Sequence, residues 1–377
     1  MPNFEAVNGV TAANLEACQG VSKANVEAIN GCSPPTAAGA TLWTVVHDDT
    51  TVSTAANSDT TSWTAYDSIS GNAPSGSVDH IAVHYGQNGS GAARYVCSFE
   101  ADNAELAFSD DPSNGNAWTV VQNLSNGNTI PCRLFDLAWG NGVWLGIGQM
   151  TAQKGNNVLR STDGSSWTAI DVSGVSGIID TGCYGIAYSG SGSTFYFAQQ
   201  NRIYKSTDGG QNWSLAHTLL NASNADPGDI RGLFVTNSSI VAWVDANPAF
   251  LYSCALSDDT DWNTGTQLST GANVNLNTKM GAAAGRFVAV HGKRYWAADI
   301  AGKSITLEHD YAFVTDANAS FGNVEAVAGD GTGKWIGACL TGDIVESTDN
   351  ADSWTLRAEN VGSKNAEDVT ANVYAPI

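Results

Sequence analysis

The feature that most restricts this chain is a short segment that returns at nearly constant spacing. Ser161-Thr-Asp163-Gly-Ser-Ser-Trp167, Ser206-Thr-Asp208-Gly-Gly-Gln-Asn-Trp213 and Ser347-Thr-Asp349-Asn-Ala-Asp-Ser-Trp354 are near copies of one another. Looser copies run from Asn57 through Asp59 to Trp63, from Ser109 through Asp111 to Trp118, and from Ser257 through Asp259 to Trp262. Starts at 57, 109, 161, 206 and 257 are separated by 52, 52, 45 and 51 residues, and the 90 residues to 347 make two periods. A degenerate copy is therefore expected near residues 298–306. A second series, Trp43, Tyr95, Trp144, Tyr196, Val241, Phe287 and Trp335, keeps step with the first and has seven members. A repeat of this length is one supersecondary unit that cannot bury its own apolar face, so the copies must stack.

Residues 135–170 show what one unit contains. Phe135–Trp139, Val143–Ile147, Val158–Ser161 and Trp167–Ile170 read as four short strands. The turn between the first two carries Asn141-Gly142, a pair that tolerates the positive φ of a tight hairpin. Four-stranded units at periods of about 40–50 residues are β-propeller blades. The first unit has an aromatic strand at Leu42–Val46 but no strand before it, because Cys32-Ser-Pro34-Pro35 interrupts. The last residues, Val369–Tyr374, read as an inner strand with nothing after it. Pairing the two ends completes a seventh blade and hides two sheet edges that would otherwise invite aggregation. The fold class expected is all-β: seven four-stranded antiparallel blades over residues 41–377, closed by the C-terminal strand.

The Ser-x-Asp-x-Gly-x-x-x-Trp pattern of residues 41–377 resembles the Asp-box, or bacterial neuraminidase, repeat of sialidases, sortilin-type receptors, xyloglucan hydrolases and photosystem assembly factors. The local chemistry is independent of that resemblance. An Asp carboxylate accepts turn N–H groups as Asx turns do, a Ser hydroxyl does likewise, and a Trp buries a large apolar area. Asp59, Asp111, Asp163, Asp208, Asp259 and Asp349 are thus expected to staple turns, with Trp63, Trp118, Trp167, Trp213, Trp262 and Trp354 packed beside them.

Nothing in the chain assembles a recognisable catalytic set. The Phe/Tyr-Arg-Ile-Pro tetrapeptide that the resemblance to sialidases would imply is missing. The eight arginines (94, 133, 160, 202, 231, 286, 294 and 357) are spread about one per unit. Arg160 and Lys205, each just before the Ser of its repeat, read as exposed strand positions. His80 and His84 would share one strand face, but the six histidines show no HExxH-like spacing. No glycine-rich phosphate loop opens a helix. Two carboxylates converging in a cleft could still hydrolyse a glycoside, a chemistry without a sequence motif. The two-propeller xyloglucan hydrolases, however, need more chain than this. Cys97, Cys183, Cys254 and Cys339 fall inside expected strands, as buried thiols do. No catalytic residue, cofactor or metal ligand is assigned. With 16 Lys+Arg against 37 Asp+Glu, the formal charge of −21 opposes nucleic acid and anionic membranes and favours solubility. No apolar run is long enough to span a bilayer, and residues 1–5 lack the features of a secretory signal.

Residues 1–33 hold a different repeat, of period 11: Phe4-Glu-Ala-Val7-Asn-Gly-Val10, Leu15-Glu-Ala-Cys18-Gln-Gly-Val21 and Val26-Glu-Ala-Ile29-Asn-Gly-Cys32. Each unit reads as a capped helical turn with a Gly stop. Units so short cannot hold a core, so Phe4, Val7, Leu15, Cys18, Val26 and Ile29 must be covered by something else. Residues 34–40 read as a linker. The tandem Asn-Gly-Val units resemble N-terminal segments of bacteriophage tail and appendage proteins. That resemblance implies a non-enzymatic, multi-copy virion component, anchored to other virion proteins through residues 1–33 and displaying its propeller for assembly or for a host-surface glycan or receptor. The alternatives are a lectin or glycoside hydrolase, and an assembly factor of the photosystem type, against which stand the missing targeting segment and basic patch.

Overall fold

Both faces of most repeat strands are apolar, and the architecture explains why. The computed structural model describes residues 6–7, 10–11, 42–48, 51–67, 80–99, 106–114, 117–130, 134–149, 157–179, 181–236, 238–246, 249–267, 280–283, 285–291, 294–312, 322–363 and 365–371. A short ladder, β1 (Ala6–Val7) with β2 (Val10–Thr11), precedes the ring. The first N-terminal copy thus holds extended backbone where its pattern suggested a helical turn. Two valines flanking Asn-Gly are better suited to a hairpin than to a helix too short to nucleate. Phe4, Leu15, Cys18, Val26 and Ile29, and the linker, lie outside the described residues, and no side-chain contact of Val7 is described.

The described strands then form seven four-stranded antiparallel sheets. Blade 1 contains β3 (Leu42–His47), β4 (Thr51–Ala56) and β5 (Thr64–Asp67). Blade 2 runs β6 (His80–Gln87), β7 (Ala93–Phe99), β8 (Leu106–Ser109), β9 (Thr119–Val121). Blade 3 runs β10 (Leu134–Gly140), β11 (Val143–Gly148), β12 (Asn157–Ser161), β13 (Trp167–Asp171). Blade 4 runs β14 (Cys183–Tyr188), β15 (Phe195–Gln199), β16 (Arg202–Ser206), β17 (Ser214–Thr218). Blade 5 runs β18 (Asp229–Val235), β19 (Ser239–Asp245), β20 (Phe250–Ala255), β21 (Thr266–Gln267). Blade 6 runs β22 (Gly281–Ala283), β23 (Arg286–His291), β24 (Arg294–Ala301), β25 (Ser304–Ala312). Blade 7 runs β26 (Val324–Gly329), β27 (Trp335–Cys339), β28 (Ile344–Ser347), β29 (Thr355–Ala358), and β30 (Ala366–Ala371) returns to complete blade 1.

The closure is the split blade expected from the sequence. β30 pairs with β3 in the register Trp43↔Ala371, Thr44↔Thr370 and Val45↔Val369. The first strands of the blades touch in a complete circuit, β6–β10–β14–β18–β22–β26–β30 and back to β6. This is a seven-bladed β-propeller. Its core lies between blades rather than within them, in seven clusters, one at each blade–blade junction. A blade sandwiched on both faces explains why β11 (Val-Trp-Leu-Gly-Ile-Gly) is buried along its whole length instead of alternating.

Two features of the phase differ from the sequence pattern. In blade 4 the residue paired with the turn serine is Phe195, opposite Ser206, as Trp144 is opposite Ser161 and Trp335 opposite Ser347. The equivalent aromatic is therefore Phe195, and the neighbouring Tyr196 points to the other face. In blade 6 the degenerate copy has become a two-residue hairpin between Ala301 and Ser304, with Gly302 at φ 61°. Residues 298–306 hold a turn of the right place without its Ser-x-Asp chemistry.

Candidate functional site

Antiparallel blades put two kinds of connection on opposite faces of the disc. The turn joining the first two strands and the turn joining the last two share one face. The connections between second and third strands, and from one blade to the next, share the other.

The Ser-x-Asp segments occupy the first of these faces. In blade 3, Asp163 Oδ1 accepts the Ser165 and Ser166 N–H groups at 2.8 Å, and Ser161 Oγ accepts Gly164 N–H at 2.8 Å. Trp167 Nε1 donates to the Gly164 carbonyl at 3.1 Å. In blade 4, Asp208 takes Gln211 and Asn212 N–H, and Trp213 donates to Gly210. In blade 7, Asp349 takes Ser353 N–H, Ser347 Oγ accepts Ala351 N–H, and Ala351 stands at φ 67° where blades 3 and 4 have glycine. Asp59 accepts Thr61 N–H and Trp63 donates to Thr60; Asp111 accepts Ser113 N–H and Trp118 is buried beside it. Burial opposes ionisation at Asp163, Asp208 and Asp349, but the converging hydrogen bonds outweigh it and hold these carboxyls below their ordinary range.

Blade 5 corrects one assignment. The carboxylate that accepts its own turn, from Thr260 N–H, belongs to Asp258, not Asp259. Asp259 occupies the glycine position, as the 2.9 Å bond from Trp262 Nε1 to its carbonyl shows. This repeat is one residue shorter between acid and Trp, which moves the staple back. The Asp259 side chain instead reaches blade 4, accepting Tyr196 Oη at 2.7 Å and pairing with Lys205.

The basic residues have a common duty that the sequence did not reveal. Arg94 donates to the Asp163 carbonyl of the next blade and pairs with Asp110. Arg160 donates to the Gly209 carbonyl of the next blade, and Lys334 to the Asn57 carbonyl across the closure. Arg286, only 2% exposed, holds Asp299 of its own blade and Asp352 of the next. Arg160 and Lys205 are thus half-buried clips between blades rather than free exposed positions. Arg202 donates to Gly177, and Arg357 pairs with the buried Glu346.

Along the axis runs a channel of about 270 Å³, lined by the first strand of every blade. Two carboxylates in its wall are structural. Asp136 accepts N–H from Leu137 and from Ile186 of the next blade, at 2.9 and 3.0 Å. Asp368 does the same for Val369 and for Val83 of the next blade, both at 2.9 Å. His84 lines the wall edge-on to Trp144, and its surroundings lower its pKa to about 4 by burial. A register shift interrupts the β6–β7 ladder between His80 and Ala82. Among the described residues no three His, Cys, Asp or Glu side chains gather to hold a metal ion. Cys97, Cys183, Cys254 and Cys339 are buried free thiols.

The same register shift recurs near the start of other first strands, away from the Ser-x-Asp turns, and two of the extra residues, Tyr184 and Arg231, line the channel. The extra residue is Phe135, Tyr184, Arg231, Glu325 and Glu367 in blades 3, 4, 5, 7 and 1. Three of these stack in a row. The Phe135 and Tyr184 rings lie 5.0 Å apart and 7° from parallel, and the Arg231 guanidinium sits 4.1 Å over Tyr184. Arg231 is also paired with Asp229 at 3.4 Å and Asp245 at 3.6 Å. Glu325 is 9% exposed, and burial raises its pKa.

No family model and no curated protein matches the chain. Among solved structures it is similar to YCF48 bound to D1 peptide (TM-score 0.51, 16% identity, 74% of this chain and 80% of that one). It is also similar to YCF48 from Cyanidioschyzon merolae (0.53, 14%, 76% and 89%). A chain of the mitotic checkpoint complex gives 0.50, 11%, 80% and 85%. At these identities the likeness is one of fold.

Proposed function

We propose that this protein is a non-enzymatic structural component of a bacteriophage particle, in the tail, an appendage or a decoration layer. Its Asp-box propeller serves assembly or attachment to the host surface, and residues 1–33 dock it onto other virion proteins in a multi-copy arrangement. The observation that carries the non-enzymatic part is the use of charge in the ring. The stapling carboxylates are consumed by turn N–H groups, and most described arginine side chains by the blade junctions. Among the described residues that leaves an axial channel in place of a converging acid–base pair or an arginine cluster. The solved neighbours favour a protein-binding duty, since one was captured with a peptide and another within a multiprotein complex. The virion assignment rests on the resemblance of the N-terminal repeat.

The test is deletion of residues 1–35 followed by mass spectrometry of purified particles. The truncated chain should keep its thermal transition yet be missing from particles; normal incorporation overturns the proposal. A lectin is the second reading, favoured by Tyr85, Trp139 and Tyr188 on the channel wall, since aromatic faces suit sugar rings. Tight binding on a glycan array without turnover of chromogenic glycosides would favour it.

A further inference from the structure

The face of the disc opposite the Ser-x-Asp turns is not uniform, and blades 3–5 carry an apolar sector on it. Among the described residues four large aliphatic side chains are exposed. Leu215 and Leu307 lie on the outermost strands of blades 4 and 6, at the rim. Ile179 and Leu220, 40% and 43% exposed, lie in the connections into and out of blade 4. The two-residue turn Gln200-Asn201, between β15 and β16, holds both connections. Gln199 at its edge accepts Ile179 N–H at 3.0 Å and donates to the Ile179 carbonyl at 2.8 Å. Asn201 exchanges bonds with Leu219 on the other side. The Gln200 carbonyl accepts Ile230 N–H at 2.8 Å, which brings the start of β18, and with it Arg231, to the same turn. A lone exposed leucine says little. Two such side chains held around one turn, next to the half-buried Phe135 and Tyr184 rings, make a patch of the kind that meets a partner.

Charge selects the partner. Asp229 and Asp245 face each other across β18 and β19 and share Arg231. Asp226 joins them: it accepts Gly228 N–H at 2.9 Å, and a Cβ on Gly228 would lie 2.7 Å from the Asp245 carbonyl oxygen. Three carboxylates thus gather around one guanidinium, and burial, reinforced by Asp229, raises the Asp245 pKa. That surplus disfavours a second copy of this chain, whose formal charge is −21, and residues 1–33, which carry three glutamates against one lysine. A sugar would need a free aromatic face, and both faces of Tyr184 are taken, by Phe135 and Arg231. We propose that this sector is the docking surface for an extended, basic segment of a partner protein. Aliphatic side chains of that segment cover Ile179 and Leu220, and its lysines or arginines meet Asp226, Asp229 and Asp245. The inference deepens the protein-binding reading above and is independent of the virion assignment.

The test titrates the purified full-length chain calorimetrically, at pH 8 and low salt, with three capped pentapeptides: Lys-Leu-Lys-Leu-Lys, Lys-Ser-Lys-Ser-Lys and Glu-Leu-Glu-Leu-Glu. The first should bind with a dissociation constant on the order of 0.1 mM, about tenfold tighter than either of the others, and should weaken as salt rises. The Ile179→Ser/Leu220→Ser pair should weaken it about fivefold or more. Asp226→Asn, which keeps an oxygen for Gly228 N–H, should weaken it about twofold and flatten its salt dependence; this variant decides if the serine pair melts abnormally. Leu307→Ser, at the rim, should leave binding unchanged. Equal binding of the serine or glutamate peptide, binding indifferent to both patch variants, or no binding up to roughly 1 mM overturns the proposal. So does self-association of the chain that the serine pair abolishes, which would make a second copy the occupant. The assay needs neither particles nor residues 1–35, so its failure is distinct from normal incorporation of the truncated chain.

Discussion

Gly185 offers the sharpest test of how closely the blades pack around the axis. A Cβ built on it would lie 2.4 Å from the Leu233 nitrogen and 2.8 Å from the Gly232 carbonyl carbon, both in the first strand of the next blade. Those are backbone atoms, so no side chain can rotate away; β14 and β18 would have to part by about 1 Å to restore van der Waals contact. Overpacking of this kind costs about 1–3 kcal/mol, and the rigid neighbour places Gly185→Ala at the upper end. With an unfolding entropy of about 2.1 cal/mol/K per residue over a ring of roughly 330 residues, 3 kcal/mol lowers Tm by about 4 °C. Gly174→Ala is the matched control: that glycine is exposed, and its added Cβ would meet nothing within 4 Å. It should change stability by no more than about 0.5 kcal/mol. Parallel thermal and urea melts give both numbers. Equal stability of the two variants would refute the backbone contact between blades 4 and 5.

Other expectations follow from the same packing. Asp259→Ala should cost about 1 kcal/mol, and Asp258→Ala should destabilise less, through loss of its exposed turn bond alone. Only Asp259→Ala should be non-additive with Lys205→Ala in a double-mutant cycle of urea melts, because only Asp259 reaches blade 4. His84 titrates near 6.5 unfolded and about 4 folded, so the unfolded chain binds the extra proton between those values. Stability should therefore fall as pH drops from about 6.5 to about 4, by at most about 3 kcal/mol, and His84→Gln should flatten that window. The turn carboxylates, lowered below their ordinary range, add their loss only at lower pH. Deleting residues 365–377 removes β30, opens the edge of β3 and uncovers β26, which packs against β30, so the cooperative transition should vanish rather than shift slightly.

The ring was legible because its information is repeated. Seven strand positions, six of them aromatic, and six Ser-x-Asp segments each mark the same period, so the loss of the turn motif at Gly302-Lys303 hid nothing. The open first blade and the unattached last strand pointed to each other through the need to bury edges. Local spacing misled where repeats differ by one residue: Asp259 was read as a staple because Ser257-Asp-Asp keeps the Ser-x-Asp order, while Trp262 actually counts back to Asp258. Arg160 and Lys205 looked exposed because the neighbour they touch belongs to another blade, a relation of about 50 residues that strand alternation does not encode.

The channel mouth was not legible at all. The bulge positions beside it carry Phe135, Tyr184, Arg231, Glu325 and Glu367, which have no single residue type in common and therefore no motif. What unites them is a bulge, and a bulge leaves no mark in a period-two pattern beyond a slip that any turn could cause. Glu325 in particular reads as an ordinary acidic residue between two valine-bearing segments.

Ring closure can be read directly from a cross-link. Thr44 and Thr370 face each other across β3 and β30, and opposed antiparallel residues have Cα atoms about 4.5–5.5 Å apart, within disulfide range. In the Thr44→Cys/Thr370→Cys variant, mild oxidation followed by protease digestion and mass spectrometry should join the two peptides in high yield, and neither single variant should do so. A double variant that keeps its fold and both thiols, or that links either position elsewhere in the chain, would contradict the closure of the seven-bladed ring through its first blade.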